Sequence, residues 1–576
     1  MSLSLSSLFS FKPSFKRDGS KPADMVVLRA NIVTCDGDNP RAEALAVEGE
    51  RIVYVGDNEG AKDYIGPDTM VNDAKGKMLV PGFIDNHAHV LWIGGLMGLM
   101  TMKLFDCNNL DEVKPVVLDH ARNNPDLPFV MGVGWRYDYI PGGLPDKELM
   151  DTILDDRPVL LMSYGGQSGW LNSMAVELLQ QRNPTAFERL VPEVHPETGE
   201  PTGLLLHFHS FDPFDYFQDE LGPEAQGRMM DSIQEVLDEA VSVGVTTIHD
   251  VQIYKPFVPT ILEFRKGGGL DKTRIRCSFY VGPHVLDDEE AFIKDLKWWE
   301  ELGKQESGPH LVLGDSLKFY IDGVSGNYTA LMFEPYPDKP GDHGKADWTQ
   351  EEFDRIIEII DAMGFQACTH CCGDAGINRV VNSYERAQKV NGKRDSRHRL
   401  EHCQIPIPED QRRMGRLGLH AAMQPAHFFA IDDAYEKLLG PERINRVLPW
   451  RSLEKEGVVV SFGSDWCNSP LNPVYGLILA ATRMNFRGET DWGPDQRVDL
   501  EDGIRHWTID SARALMMDDD IGSIEVGKYA DFAIFNQNLL KLDSWWFLLT
   551  HKLELGALDD FVNMTVVGGN IVYQKK

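Results

Sequence analysis

No run of eighteen uninterrupted apolar residues occurs anywhere in the chain; the nearest approach, residues 91–99, is glycine-rich and too short to cross a bilayer. A membrane partner is therefore not expected. Cysteine is sparse: eight thiols in 576 residues, scattered singly except around Cys368, Cys371 and Cys372. That excludes the dense disulfide framework of a small secreted domain, so reduced thiols and a cytoplasmic location are the expectation. Basic residues are outnumbered, 57 against 89 acidic, for a net charge of −32. A chain this acidic, with no local basic patch, repels phosphate backbones, and no nucleic-acid partner is expected. A serine hydrolase is disfavoured by the lack of a Gly-x-Ser-x-Gly elbow. The near misses, Gly166-Gln-Ser168-Gly-Trp and Gly323-Val-Ser325-Gly-Asn, lack the final glycine. Glycine-rich phosphate loops are missing too.

The length is too great for one core and predicts two or three domains. Residues 1–23 are serine-rich and carry Lys12, Lys16, Arg17 and Lys21 with Asp18 as their one acid, which reads equally as a disordered tail or a leader that could address an organelle. Short β-rich runs fill 24–80, and the same character returns over 522–576, which predicts one composite β-sandwich built from both chain ends. The middle, 81–521, alternates strands and helices. Candidate strands at 79–84, 246–249, 276–281, 317–320, 366–369, 399–401, 421–424 and 458–461, with helices such as 350–363 and 374–390, predict an α/β fold, an eight-stranded (β/α)8 TIM barrel. The connection after the first strand is far longer than a barrel crossover needs. Segment 103–212, with strands at 129–133 and 159–163 and helices at 110–124 and 172–181, reads as an inserted subdomain over the barrel mouth, where such an insertion would shape a substrate pocket.

One stretch carries the most chemistry: Pro81-Gly-Phe-Ile-Asp-Asn-His-Ala-His89. Residues two apart on an extended backbone point to one face, so His87 and His89 can present two imidazoles to one cation. Further ligand types close later strands. Lys318 lies in the apolar strand Ser316-Leu-Lys-Phe-Tyr, where an ammonium is costly to bury and a neutral amine can take up carbon dioxide as a bridging carbamate; a lysine paired with an acid is the alternative. His370 ends strand five in Thr-His-Cys-Cys-Gly-Asp, His402 ends strand six in Arg-Leu-Glu-His-Cys-Gln, and Asp465 follows strand eight in Ser-Phe-Gly-Ser-Asp-Trp. Cys371 and Cys372 read as small buried filler in preference to soft ligands.

This ordered set resembles the binuclear amidohydrolase superfamily, in detail the branch of YtcJ-like proteins and N-substituted formamide deformylases. The likeness runs from about Asp24 to Tyr573 and includes Ile321-Asp-Gly, Gly373-Asp374, Gln424-Pro-Ala-His427 and the closing Gly522-Ser-Ile-Glu-Val-Gly-Lys-Tyr-Ala-Asp-Phe. The resemblance implies two divalent metal ions, with zinc favoured and manganese, iron or cobalt as competitors. It places His87 and His89 on one ion, His370 and His402 on the second, a carboxylated Lys318 between them, and Asp465 as both ligand and catalytic proton carrier. Relatives often have histidine where this chain has Gln167, and glutamate where it has His207, so both are candidate substrate contacts with altered chemistry. His427, Trp135, Trp170, Tyr328 and Trp466 fall near predicted mouth loops and complete the candidate substrate-binding set. The expected activity is metal-dependent hydrolysis of a non-peptide C–N bond (an amide, N-substituted formamide or cyclic amide) in a small molecule. Ring opening, deamination or metal-assisted decarboxylation on the same fold, or a non-catalytic interaction protein, are the alternatives. A homodimer is the default assembly.

Overall fold

The computed structural model describes residues 22–576 apart from 101, 126–128, 141–143, 164–167, 207–210, 212–215, 217–221, 284, 431–432, 486–491, 543–555 and 557. Its chain divides into two compact units, one of residues up to 88 with 237–253 and 268–576, the other of 89–236 with 254–267.

Eight parallel strands form the centre of the first unit: β1 (Phe83–Ala88), β2 (Val245–Ile253), β3 (Arg274–Tyr280), β4 (Ser316–Tyr320), β5 (Gln366–Cys371), β6 (Arg399–His402), β7 (His420–Met423) and β8 (Val459–Phe462). They are hydrogen-bonded in chain order, with the short strand Leu311–Val312 alongside β3. These strands are buried throughout, and their polar residues, such as Asp85, His87, His249 and Lys318, are buried with the apolar ones. The seam between β8 and β1 is drawn together past the end of β8, where the Asp465 N–H donates to the His87 carbonyl at 2.7 Å. Gly463 makes that approach possible, since a Cβ there would lie 2.7 Å from the His87 nitrogen. Amphipathic helices follow the strands; Gln350–Ala362 begins with a reciprocal capping box between Thr349 and Glu352, and Asp374–Asn391 packs against it.

The expected strand at 79–84 is two strands. Met78–Pro81 runs antiparallel to Phe532–Phe535 in a sheet of the terminal segments, and only from Phe83 does the chain enter the barrel. Both halves are equally apolar, so the run shows no break. The break comes at Gly82, where a Cβ would lie 2.1 Å from the Thr246 hydroxyl. As a result His87 sits inside β1, not beyond it.

Both chain ends build the sheets beside the barrel. One sheet has the order Arg51–Gly56, Ala44–Glu48, Met25–Leu28, Met70–Asp73. The other runs Asn570–Gln574, Val562–Val567, Phe532–Phe535, Met78–Pro81, Asn31–Val33, Arg41–Ala42. Val27, Leu45, Ile32, Leu79, Ile534 and Val566 share one core between them. A buried ion pair ties this layer to β3: Arg274 donates to both carboxylate oxygens of Asp531, at 2.6 and 3.0 Å, and Asp531 also accepts from the Gly568 N–H.

The second unit has its own six-stranded sheet, in the order Pro192–Val194, Pro201–Leu205, Gly169–Leu171, Val159–Ser163, Val130–Trp135, Met102–Lys103. Helices Leu110–Asn123 and Ser173–Arg182 belong to it, and Val113, Trp135, Leu161 and Trp170 lie in its core. The unit takes in segment 103–212 and extends past both of its ends. Among the described residues no helix is long and apolar enough to cross a membrane.

Replacing Asp531 by alanine leaves the Arg274 guanidinium buried without its carboxylate, and the expected loss of folding stability is about 3–5 kcal/mol. Denaturant unfolding of the variant checks this; a loss below about 1 kcal/mol, the range of an exposed pair, would contradict the tie.

Candidate metal centre

Alternation along β1 puts Asp85 and His87 on one face. His87 Nδ1 lies 2.5 Å from Oε2 of Glu401, a fully buried carboxylate on β6. With a carboxylate at Nδ1, that nitrogen carries the hydrogen and Nε2 presents its lone pair. Burial, and then the charge of Lys318, push the His87 imidazolium down to about 4, so the ring is neutral near pH 7. Burial works to raise the Glu401 carboxyl, but the Arg399 guanidinium and His87 override it and hold the group well below the usual carboxylate range. Arg399 donates to both Glu401 oxygens at 2.8 Å, to the Asn86 carbonyl at 2.8 Å, and faces His249 Nδ1 at 2.9 Å.

Lys318, on β4, is fully buried, and its Nζ has no hydrogen-bond partner among the described residues. It stands 4.8 Å above the Tyr320 ring, and its charge bears on His87, His370 and His402. Burial lowers its pKa, against the pull of Glu401 and Asp465. His370 on β5 has Nε2 at 3.1 Å from the Gly323 carbonyl, and its ring centre is 4.5 Å from that of His402. His402, at the end of β6, holds Nδ1 2.7 Å from the Gln424 amide oxygen, which turns its Nε2 outward as the free lone pair.

Asp465 joins the two sides. Its Oδ1 lies 3.5 Å from His87 Nε2 and its Oδ2 3.2 Å from His427 Nε2. His89, one residue beyond the end of β1, is buried and brings a ligand atom within 4.8 Å of those of His87 and Asp465. His402 (φ 66°), Cys403 (φ 43°) and Asp465 (φ 59°) occupy the left-handed region, which L-residues rarely adopt and which concentrates at functional sites. Imidazoles with a presented lone pair beside a carboxylate fit a divalent transition cation.

The structure thus gathers His87, Lys318, His370, His402, His427 and Asp465, with His89 just beyond the strand of His87. The aromatic candidates are placed otherwise. Trp135 and Trp170 are fully buried in the core of the second unit, each indole N–H committed to a carbonyl, of Leu161 and Asp146 respectively. They serve packing there. Tyr328 donates to Asp338 at 2.7 Å and lies under the Lys339 ammonium. Trp466 is half-buried beside Asp465, its N–H on the Ser464 hydroxyl. Gln167 and His207 lie outside the described residues. Cys371 and Cys372 are buried thiols whose pKa values burial pushes up, as filler requires, although Cys372 Sγ comes within 3.5 Å of His370 Nε2. Glu401, Arg399 and His249 escaped the sequence reading; the clue was two opposite charges, Arg399 and Glu401, inside a four-residue strand that is buried throughout.

A parallel eight-stranded barrel whose strand ends carry a cluster of imidazoles, a lysine and a carboxylate defines a class, the barrels with a metal-ligand constellation at the C-terminal strand ends. Within that class the chain belongs to the amidohydrolase family, whose model matches residues 70–573. It is 30% identical over 532 residues to the protein LONG AFTER FAR-RED 3 of Arabidopsis thaliana, covering 90% of this chain and 88% of the relative. It is 25% identical over 529 residues to the N-substituted formamide deformylase of Arthrobacter pascens, covering 89% and 94%. Its fold is similar to the crystal structure of an uncharacterized metal-dependent hydrolase from Pyrococcus horikoshii OT3, with a TM-score of 0.71, 22% identity, and 90% and 99% of the two chains covered.

Glu401→Gln keeps an acceptor for Arg399 but removes the charge behind His87. Affinity for zinc is expected to fall roughly ten- to a hundredfold, as read by competition with a chelator; unchanged affinity would remove Glu401 from the centre.

Proposed function

We propose that the chain is a metal-dependent hydrolase that cleaves a non-peptide C–N bond, an amide, N-substituted formamide or cyclic amide, in a small molecule. The observation that carries this reading is Lys318. A fully buried amine without a hydrogen-bond partner among the described residues stands among neutral imidazoles and a carboxylate. A structural lysine would be paired with an acid. Once deprotonated, such an amine can add carbon dioxide, forming an N–C bond and releasing a proton, and the resulting carbamate would offer two oxygens to the cations. The family and the deformylase relative favour the C–N bond.

In this reading His87 and His89 would hold one divalent ion and His370 and His402 the second, a carboxylated Lys318 would be shared by both, and zinc would suit the mixed nitrogen and oxygen donors. Bound cations supply a water of lowered pKa and a polarised substrate carbonyl. The chain's residues do the rest. Glu401 keeps His87 in the tautomer that presents Nε2, and Gln424 does the same for His402. Asp465 accepts the proton of the attacking water on a carboxylate oxygen and returns it to the leaving nitrogen. The Asn468 amide donates to Asp465 Oδ2 at 3.1 Å and orients that carboxylate.

Elemental analysis of protein expressed with zinc is expected to give about two ions per chain, lost together with activity in His87→Ala. Near-zero metal in folded wild-type protein would end the hydrolase reading. Turnover of N-formyl or N-acyl amides, scored as amine plus acid, is expected to fall by about 10²–10⁴ in Asp465→Asn; near wild-type turnover would remove its proton-carrying role. Lys318→Ala is expected to regain part of its activity with short carboxylic acids, which occupy the place of the carbamate.

A further inference from the structure

We infer that His427 is a metal ligand, completing with His402 and Asp465 a position for the second ion. The inference rests on the metal-dependent reading above and adds to it a residue that the strand-end motifs do not assign.

His427 is carried by the short 3-10 turn Pro425–Ala430 that follows β7, so it reaches the centre from the strand between those of His402 and Asp465. The ligand atoms of His402, His427 and Asp465 all lie within 4.8 Å of one another. Each is aimed. Gln424 occupies His402 Nδ1, and its own amide nitrogen is spent on the Ala422 carbonyl, so His402 presents Nε2. The His427 ring lies nearly parallel to that of His402, 19° between planes and 5.7 Å between centres, with Nε2 3.2 Å from Asp465 Oδ2.

That separation has a second meaning. Two ligands on a tetrahedral zinc, each bound at about 2.0–2.1 Å, stand roughly 3.3 Å apart. The His427–Asp465 distance of 3.2 Å and the His87–Asp465 distance of 3.5 Å both fall close to this edge, and they use different oxygens of one carboxylate. The His427–Asp465 pair is thus spaced to take one cation, using the carboxylate oxygen that faces away from His87. The Gly323 carbonyl holds His370 Nε2 at 3.1 Å, which leaves Nδ1 as the nitrogen that ring can offer, so His427 adds to His370 and does not replace it.

The test is a titration of metal-free full-length protein with Co²⁺, following visible absorption for coordination and calorimetry for stoichiometry, in wild type, His427→Ala and His427→Gln. Glutamine keeps a donor toward Asp465 while being a far poorer ligand than imidazole, so it separates metal binding from a plain hydrogen bond. The expected result is that the wild type takes up about two equivalents. In both variants the first equivalent binds as before. The second is expected to weaken by more than about a hundredfold, the upper end of what loss of an outlying partner costs, and to lose its absorption bands. Two equivalents bound by both variants within about threefold of wild type would overturn the ligand role and leave the hydrolase reading standing. A folded wild type that takes up no Co²⁺ overturns both.

Discussion

A carboxylate removed from water must be compensated from every side, and the barrel interior is arranged around the compensation of Glu401. Two arms of Arg399 meet its oxygens, and the same guanidinium reaches the Asn86 carbonyl on β1 and the His249 ring on β2. His249 passes the chain of contacts to Ser278 on β3, which donates to Ser316 on β4. Five strands, β6 and β1 to β4, are thereby linked through one buried charge pair. Such a pair adds little net stability compared with apolar packing, yet breaking one half of it costs about 3–5 kcal/mol. Its use here is orientation: His87 can present Nε2 only because Nδ1 is held from behind.

Strain at the strand ends belongs to the same arrangement. His402, Cys403 and Asp465 hold left-handed backbone conformations that cost on the order of 1–3 kcal/mol each. The surrounding bonds make them tolerable: Asp465 N–H to the His87 carbonyl, Gln424 to His402, and Asp85 receiving the Ser464 N–H. The turn at Asp465 also draws the last strand toward the first, so the closing of the barrel and the placing of its carboxylate are one event.

Much of this was legible in the residues because the ligand motifs lie in or just past short strand-like runs that alternate with amphipathic helices. Eight runs, taken in order, already placed His87, Lys318, His370, His402 and Asp465 at one end of a barrel. Three features were not legible. The run from Met78 to Ile84 belongs to two sheets, and nothing in its hydropathy marks the change; the division depends on how closely Thr246 approaches Gly82. Glu401 reads as an ordinary neighbour of a ligand until the barrel closes and brings β1 across from β6. Trp135 and Trp170 stand beside loops in the sequence, but which way an indole points is decided by the carbonyls that accept its N–H, and those of Leu161 and Asp146 turn both inward.

The terminal sheet carries a consequence for how the protein is made. Met78–Pro81 takes Asn31–Val33 on one edge and Phe532–Phe535 on the other. A ribosome adding about 5–20 residues per second needs tens of seconds to cover the intervening sequence. Throughout that time a short, wholly apolar strand offers an unpaired edge, the kind of surface that recruits other nascent chains. The sheet built from both chain ends therefore cannot be completed until Phe532–Phe535 has been synthesised.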